Sequence, residues 1–202
     1  MFASLTVLFL VVPLFAATDL EGLLSLTEDL TPKHSTWTSA TPACSWSGVT
    51  CTGRARSVTS VAFQGAFSGT ADLRALPQFL KSIYLNNNRL TGSVDLTQLP
   101  KSLVYAELSR SQLTGAVNLT RLPSSLKYLY MHGNAFSGGI DLRNLPKSLT
   151  LTLDGWCGAS SKISEGVCST LTLSAGSVCT TSCASISSAM DCPECPSASD
   201  EA

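Results

Sequence analysis

"LPKSL" stands at residues 99–103 and again at 145–149, with "LPSSL" at 122–126 between them and "LPQFL" at 76–80 before them. The four starts, Leu76, Leu99, Leu122 and Leu145, are each 23 residues apart. A fixed period of that size marks stacked copies of one supersecondary unit. More than the Leu-Pro pair recurs at this step. Gly69, Gly92, Gly115 and Gly138 form one column, Asp72, Asp95, Asn118 and Asp141 a second, and Leu73, Leu96, Leu119 and Leu142 a third.

Each unit also carries an apolar comb ahead of its glycine: Leu80, Ile83, Leu85, Asn88 and Leu90, then Leu103, Ala106, Leu108, Ser111 and Leu113, then Leu126, Leu129, Met131, Asn134 and Phe136. This is the LxxLxLxxNxL pattern of a leucine-rich repeat. The LxL portion alternates with period two, so it predicts a short strand with its leucines inward and a parallel partner roughly 4.8 Å away in the next unit. The asparagine is suited to pair backbone groups at the bend, and the glycine to a turn that a side chain would obstruct. Pro77, Pro100, Pro123 and Pro146 forbid a regular helix interior on the return path, which predicts an extended or 3₁₀ convex side. The expected fold is an α/β-type repeat solenoid: a short leucine-rich-repeat array with a parallel concave sheet, a helix-poor convex side and a disulfide-bonded N-terminal cap.

Both ends of the array are one residue out of step. "SVTSVAFQGAFSGTADL" fits the comb with one residue missing between Phe63 and Gly69, and "LTLTLDGW" is one short, with Leu151 and Leu153 in the strand positions. End units of a solenoid lack a neighbour on one side and need caps. Residues 1–17 read as a secretory leader, with an apolar run ending in Ala16 and Ala17. Residues 18–56 read as the N-terminal cap, opening on the amphipathic "LEGLLSLTEDL" and closing on "CSWSGVTC", where Cys44 and Cys51 are spaced to bond around Trp46. Repeats occupy 57–156, and 157–202 reads as a cysteine-rich C-terminal cap and tail. Its six cysteines, at 157, 168, 179, 183, 192 and 195, allow fifteen pairings.

"CSWSGVTC" beside a short amphipathic helix resembles the N-terminal cap of plant-type extracellular leucine-rich-repeat proteins. The repeat, "LTGSVDLTQLPKSL" and "LTGAVNLTRLPSSL", resembles the promastigote surface antigen family of trypanosomatid protists; plant receptors carry a longer unit with a proline where Asp95, Asn118 and Asp141 stand here. The resemblance spans roughly residues 19–156. It implies a cell-surface or secreted glycoprotein that contacts other macromolecules, often through a lipid anchor. The terminal "CPECPSASDEA" has neither the Ser/Thr-rich stalk nor the apolar tail of that family, so a secreted protein or a shortened form is expected, with membrane attachment only by an anchor not visible in the chain.

A net charge of −1 over 202 residues gives no bulk pull toward nucleic acid. No cofactor is expected, and no catalysis: the two histidines, His34 and His132, stand apart, and no nucleophile elbow, phosphate loop or zinc-helix motif occurs. His132 near Glu107 or Tyr130 is the nearest approach to an acid–base pair, and it reads better as a solvated surface residue. "CTTSC" and "CPEC" have spacings that zinc could use, but behind a leader they read as disulfides. "NLT" at 118–120 is an N-glycosylation acceptor, with Asn118 outward between Val117 and Leu119. The outward strand positions hold Lys81, Tyr84, Tyr105, Glu107, Arg110, Lys127, Tyr128, Tyr130 and His132, among them all four tyrosines of the protein. Tyr and Arg are enriched at recognition surfaces. These nine are the candidate contacts for a protein or glycan ligand. The alternatives are an antigenic coat protein with no defined ligand and an inhibitor of a secreted hydrolase.

Overall fold

The computed structural model describes residues 14–53, 56–137, 141, 144–153 and 171–173. Most of the expected leader (residues 1–13), Trp156 and the six C-terminal cysteines lie outside the described residues.

The chain opens with α1 (Leu14–Thr27), then a 3₁₀ turn at Ala43–Ser45 and the strands β1 (Val49–Thr52) and β2 (Ser57–Ala62). The helix begins at Leu14, four residues before the cap boundary expected at 18. Leu23, Leu26 and Leu30 recur at helical spacing and are fully buried. Gly22 in mid-helix is explained by close approach, since a Cβ there would lie 2.1 Å from the Ala75 carbonyl oxygen. Trp37 packs on Phe63 at 4.3 Å and on Phe67 at 5.1 Å, and so joins the cap to the first coil. The Cys44–Cys51 disulfide closes the loop that carries the buried Trp46, with Cα atoms 5.6 Å apart.

Beyond the cap each coil contributes a strand from the LxL segment: β4 (Ser82–Tyr84), β6 (Tyr105–Glu107), β8 (Tyr128–Tyr130) and β10 (Thr150–Leu153). Ser82 pairs with Tyr105 and Tyr105 with Tyr128, a register of 23; Ser60 pairs with Ser82 and Tyr128 with Thr150, a register of 22. The coil therefore loses one residue at each end, where the comb had slipped. The inward residues Ile83, Ala106, Leu129 and Leu151 are all at most 1 % exposed, as are Leu80, Leu103, Leu126 and Leu149. In each return the second leucine of Leu-Pro-x-x-Leu donates its N–H to the proline carbonyl at 3.0 Å, for Leu80, Leu103, Leu126 and Leu149 alike. "LPKSL" is this single tight turn. The convex side is helix-free among the described residues.

The architecture differs from the sequence expectation in two places. Each unit was expected to give one strand, but the "LTG" and "FSG" segments give a second: β3 (Ser68–Gly69) pairs with β5 (Arg89–Leu90), and β7 (Thr114–Gly115) with β9 (Ala135–Phe136). The main sheet also passes the expected end of the repeats at 156, because β11 (Leu171–Leu173) pairs in parallel with β10. Its "LTL" repeats the "LTL" of β10, but at a step of 20 that the period of 23 conceals. Among the described residues the sheet has the order β1-β2-β4-β6-β8-β10-β11, parallel except for the β1–β2 hairpin.

Candidate functional site

The alternation that turns Ile83, Ala106 and Leu129 inward turns their neighbours outward. Parallel register then lines these neighbours into rows across the sheet. Ser82, Tyr105, Tyr128 and Thr150 form one row; Tyr84, Glu107, Tyr130 and Thr152 form the next. Tyr128 is 41 % exposed, while Tyr84, Tyr105, Glu107 and Tyr130 are half-buried.

Tyr105 is the hub of the cluster. Its ring lies 4.9 Å from Tyr84, 5.6 Å from Tyr130 and 5.8 Å from Tyr128, all tilted contacts within the aromatic pairing range. Tyr128 and Tyr130 stack at 6.3 Å. The Tyr105 hydroxyl donates to Glu107 Oε2 at 3.0 Å, and the Ser109 hydroxyl donates to Glu107 Oε1. Burial, then the adjacent Glu107 carboxylate, pushes the Tyr105 phenol above its ordinary range, so it remains a protonated donor. Ser109 itself is 3 % exposed.

The structure gathers some of the nine candidates and separates others. Tyr84, Tyr105, Glu107, Tyr128 and Tyr130 meet in one cluster. Lys81 and Lys127 are exposed one residue before β4 and β8, at its rim. Arg110, counted with the strand positions, stands instead in the turn after β6 with a left-handed φ of 54°, and its side chain lies against Gly133. His132 is half-buried beyond Tyr130, and its Nδ1 is buried without a partner. It makes no bond to Glu107, whose oxygens accept from Tyr105 and Ser109. His34 is exposed in the cap, bonded to Thr36. Asn118 is exposed, on the flank rather than the concave face, and its Oδ1 accepts from the Thr120 N–H at 3.0 Å and hydroxyl at 2.6 Å. Sequence reasoning missed two features: Ser109, a generic serine whose only signal was its place two residues after Glu107, and the central position of Tyr105.

Residues 16–52 match the family model described as the leucine rich repeat N-terminal domain. That match covers the N-terminal cap; with the stacked coils and parallel sheet, the fold is a leucine-rich-repeat solenoid. Among solved structures, the leucine-rich-repeat chain is similar to the BIR2 ectodomain from Arabidopsis thaliana, at 22 % identity and a TM-score of 0.55, over 72 % of this chain and 81 % of that one. It is also similar to a pollen receptor kinase 3, at 22 % identity and a TM-score of 0.43, over 68 % and 82 %. The former likeness is one of fold. No curated protein matches the sequence.

Proposed function

We propose that this leucine-rich-repeat protein is exported and binds a macromolecular partner, protein or glycan, with the tyrosine face of its concave sheet, without catalysing a reaction. The observation that carries the reading is the gathering of all four tyrosines on the concave sheet, with Tyr105 at the hub and bonded to Glu107. Rigid aromatic side chains offer large contact area at low entropic cost, which is why they dominate binding energy at interfaces. The apolar leader sequence, the Cys44–Cys51 disulfide and a fold shared with the BIR2 ectodomain support export. Asn118, exposed within its Asn-x-Thr sequence, is then proposed to carry a glycan on the flank, clear of the tyrosine face.

The test is to display residues 18–202 against cell surfaces and arrayed glycans, then compare the Tyr84→Ala/Tyr130→Ala double variant. Loss of about 2 kcal/mol of binding or more is expected if both rings are anchors. Equal binding by the double variant removes the concave-face reading and leaves a surface coat protein, the role to which the resemblance of its repeats to promastigote surface antigens also points.

A further inference from the structure

We infer that the concave face receives a basic side chain of a protein partner, arginine foremost, seated on Glu107 beside the tyrosine rings. This deepens the concave-face reading and rests on it.

Glu107 is half-buried, and among the described residues no cation pairs with it; the ion pair found there joins Arg74 to Asp72. Its two oxygens each accept one neutral hydroxyl, from Tyr105 and Ser109. Those bonds fix the direction of the carboxylate and leave its charge uncompensated. Each oxygen keeps a further acceptor position. A carboxylate partly removed from water without a counter-charge costs stability, and a cation brought to it offsets that cost.

The walls of the site suit a cation. Tyr84 and Tyr130 flank Glu107 in its own row, and Tyr105 touches both rings. The face of each ring carries the negative end of its quadrupole, so a cation laid over it is attracted by ring and carboxylate together. A planar guanidinium can stack on a phenol ring and reach a carboxylate with two N–H groups; an ammonium does only part of this. The protein's own basic groups do not fill the place. Lys81 and Lys127 stand at the strand entries, and Arg110 lies in the turn beyond against Gly133. None makes an ion pair or a cation–π contact among the described residues.

The protein has four tyrosines, all in this cluster, so uniform 3-fluorotyrosine labelling yields four ¹⁹F resonances that all report on the site. Acetyl-arginine N-methylamide is titrated against its neutral isostere, acetyl-citrulline N-methylamide, and against methyl glucoside. Saturable shifts with the arginine probe are expected, with roughly fivefold or weaker affinity for citrulline. Glu107→Gln should abolish that preference while keeping four dispersed resonances, which shows that it folds. Equal response to arginine and citrulline overturns the inference, as does silence with all probes. A response to the glucoside alone also overturns it and marks a glycan site, leaving the concave-face reading intact. That broader reading fails only with the double tyrosine variant described above.

Discussion

Asn88 and Ser111 stand in one column, a single unit apart, and meet opposite fates. Asn88 Nδ2 donates to the carbonyls of Phe63 at 2.7 Å and Leu85 at 2.8 Å, while its Oδ1 accepts from the Phe67 N–H at 3.0 Å. Asn134 repeats the pattern with Leu108, Met131 and Leu113. Ser111 is too short to follow, and its hydroxyl is buried without a partner. Ser111→Asn should therefore stabilise the protein by about 1 kcal/mol, read as a raised melting temperature. An unchanged or lowered melt sinks the column argument. A second residue-scale prediction concerns acid. The bonds from Arg74 hold the Asp72 carboxyl at about 2, below its ordinary 3.8. A depressed carboxylate contributes stability above the unfolded value and loses it as pH falls through the folded one. The pair is exposed to solvent, which screens it, so that contribution is small. The stability difference between wild type and Asp72→Asn should shrink between pH 4 and 2, and a constant difference would count against the pair. The Asn and Leu columns were legible from the sequence because repetition displays them. The lone roles of Ser109 and Ser111 were not, since a serine has the same appearance whether it is solvated, bonded or stranded.

Between units, the convex turns do more than reverse the chain. The Ser102 hydroxyl donates to the Gln78 and Leu80 carbonyls of the preceding coil, both at 2.7 Å, and Ser125 repeats this on Lys101 and Leu103. Each serine thus pins one turn to the turn before it. Ser102→Ala should cost about 1 kcal/mol, measured by chemical denaturation, where an exposed serine without bonds would cost nothing. By contrast, Leu108→Ala removes a side chain 1 % exposed between two coils and should cost about 2–5 kcal/mol. The main strands were readable because three inward positions recur at each step. The two-residue ladders β3–β5 and β7–β9 were not, since strands that short have no alternation to detect. β11 was hidden because the period on which the units were counted fails beyond β10.

For the molecule as a whole, the N-terminal cap covers the apolar end of the stack. Trp37, Trp46 and Phe63 are each at most 6 % exposed there, and the Cys44–Cys51 bond holds the loop that presents Trp46. Replacing both cysteines with serine should cost about 2–3 kcal/mol, because the loop they close is short. A melt unchanged by that replacement, or by reduction, would show that packing alone retains the cap. The rows of the candidate face were predictable at this scale, because a constant register places equivalent residues side by side. The convergence of three rings on Tyr105 was not, since it depends on side-chain rotamers that no column encodes. The register has a consequence for growth. A register of 23 holds only between β4, β6 and β8, while the steps on either side take 22 and the last, to β11, takes 20. In-frame tandem duplication of residues 105–127 inserts a rung whose edges match both neighbours, so the gene can lengthen its reading surface there without redesign of either end. Copying 60–81 instead places a short rung in mid-stack, with Gln64, Gly65 and Ala66 where an asparagine should pair its neighbours. Expression of the two duplicates should give a folded, longer protein from the first and a destabilised one from the second, which makes the centre of this array the segment open to expansion and its ends the segments closed to it.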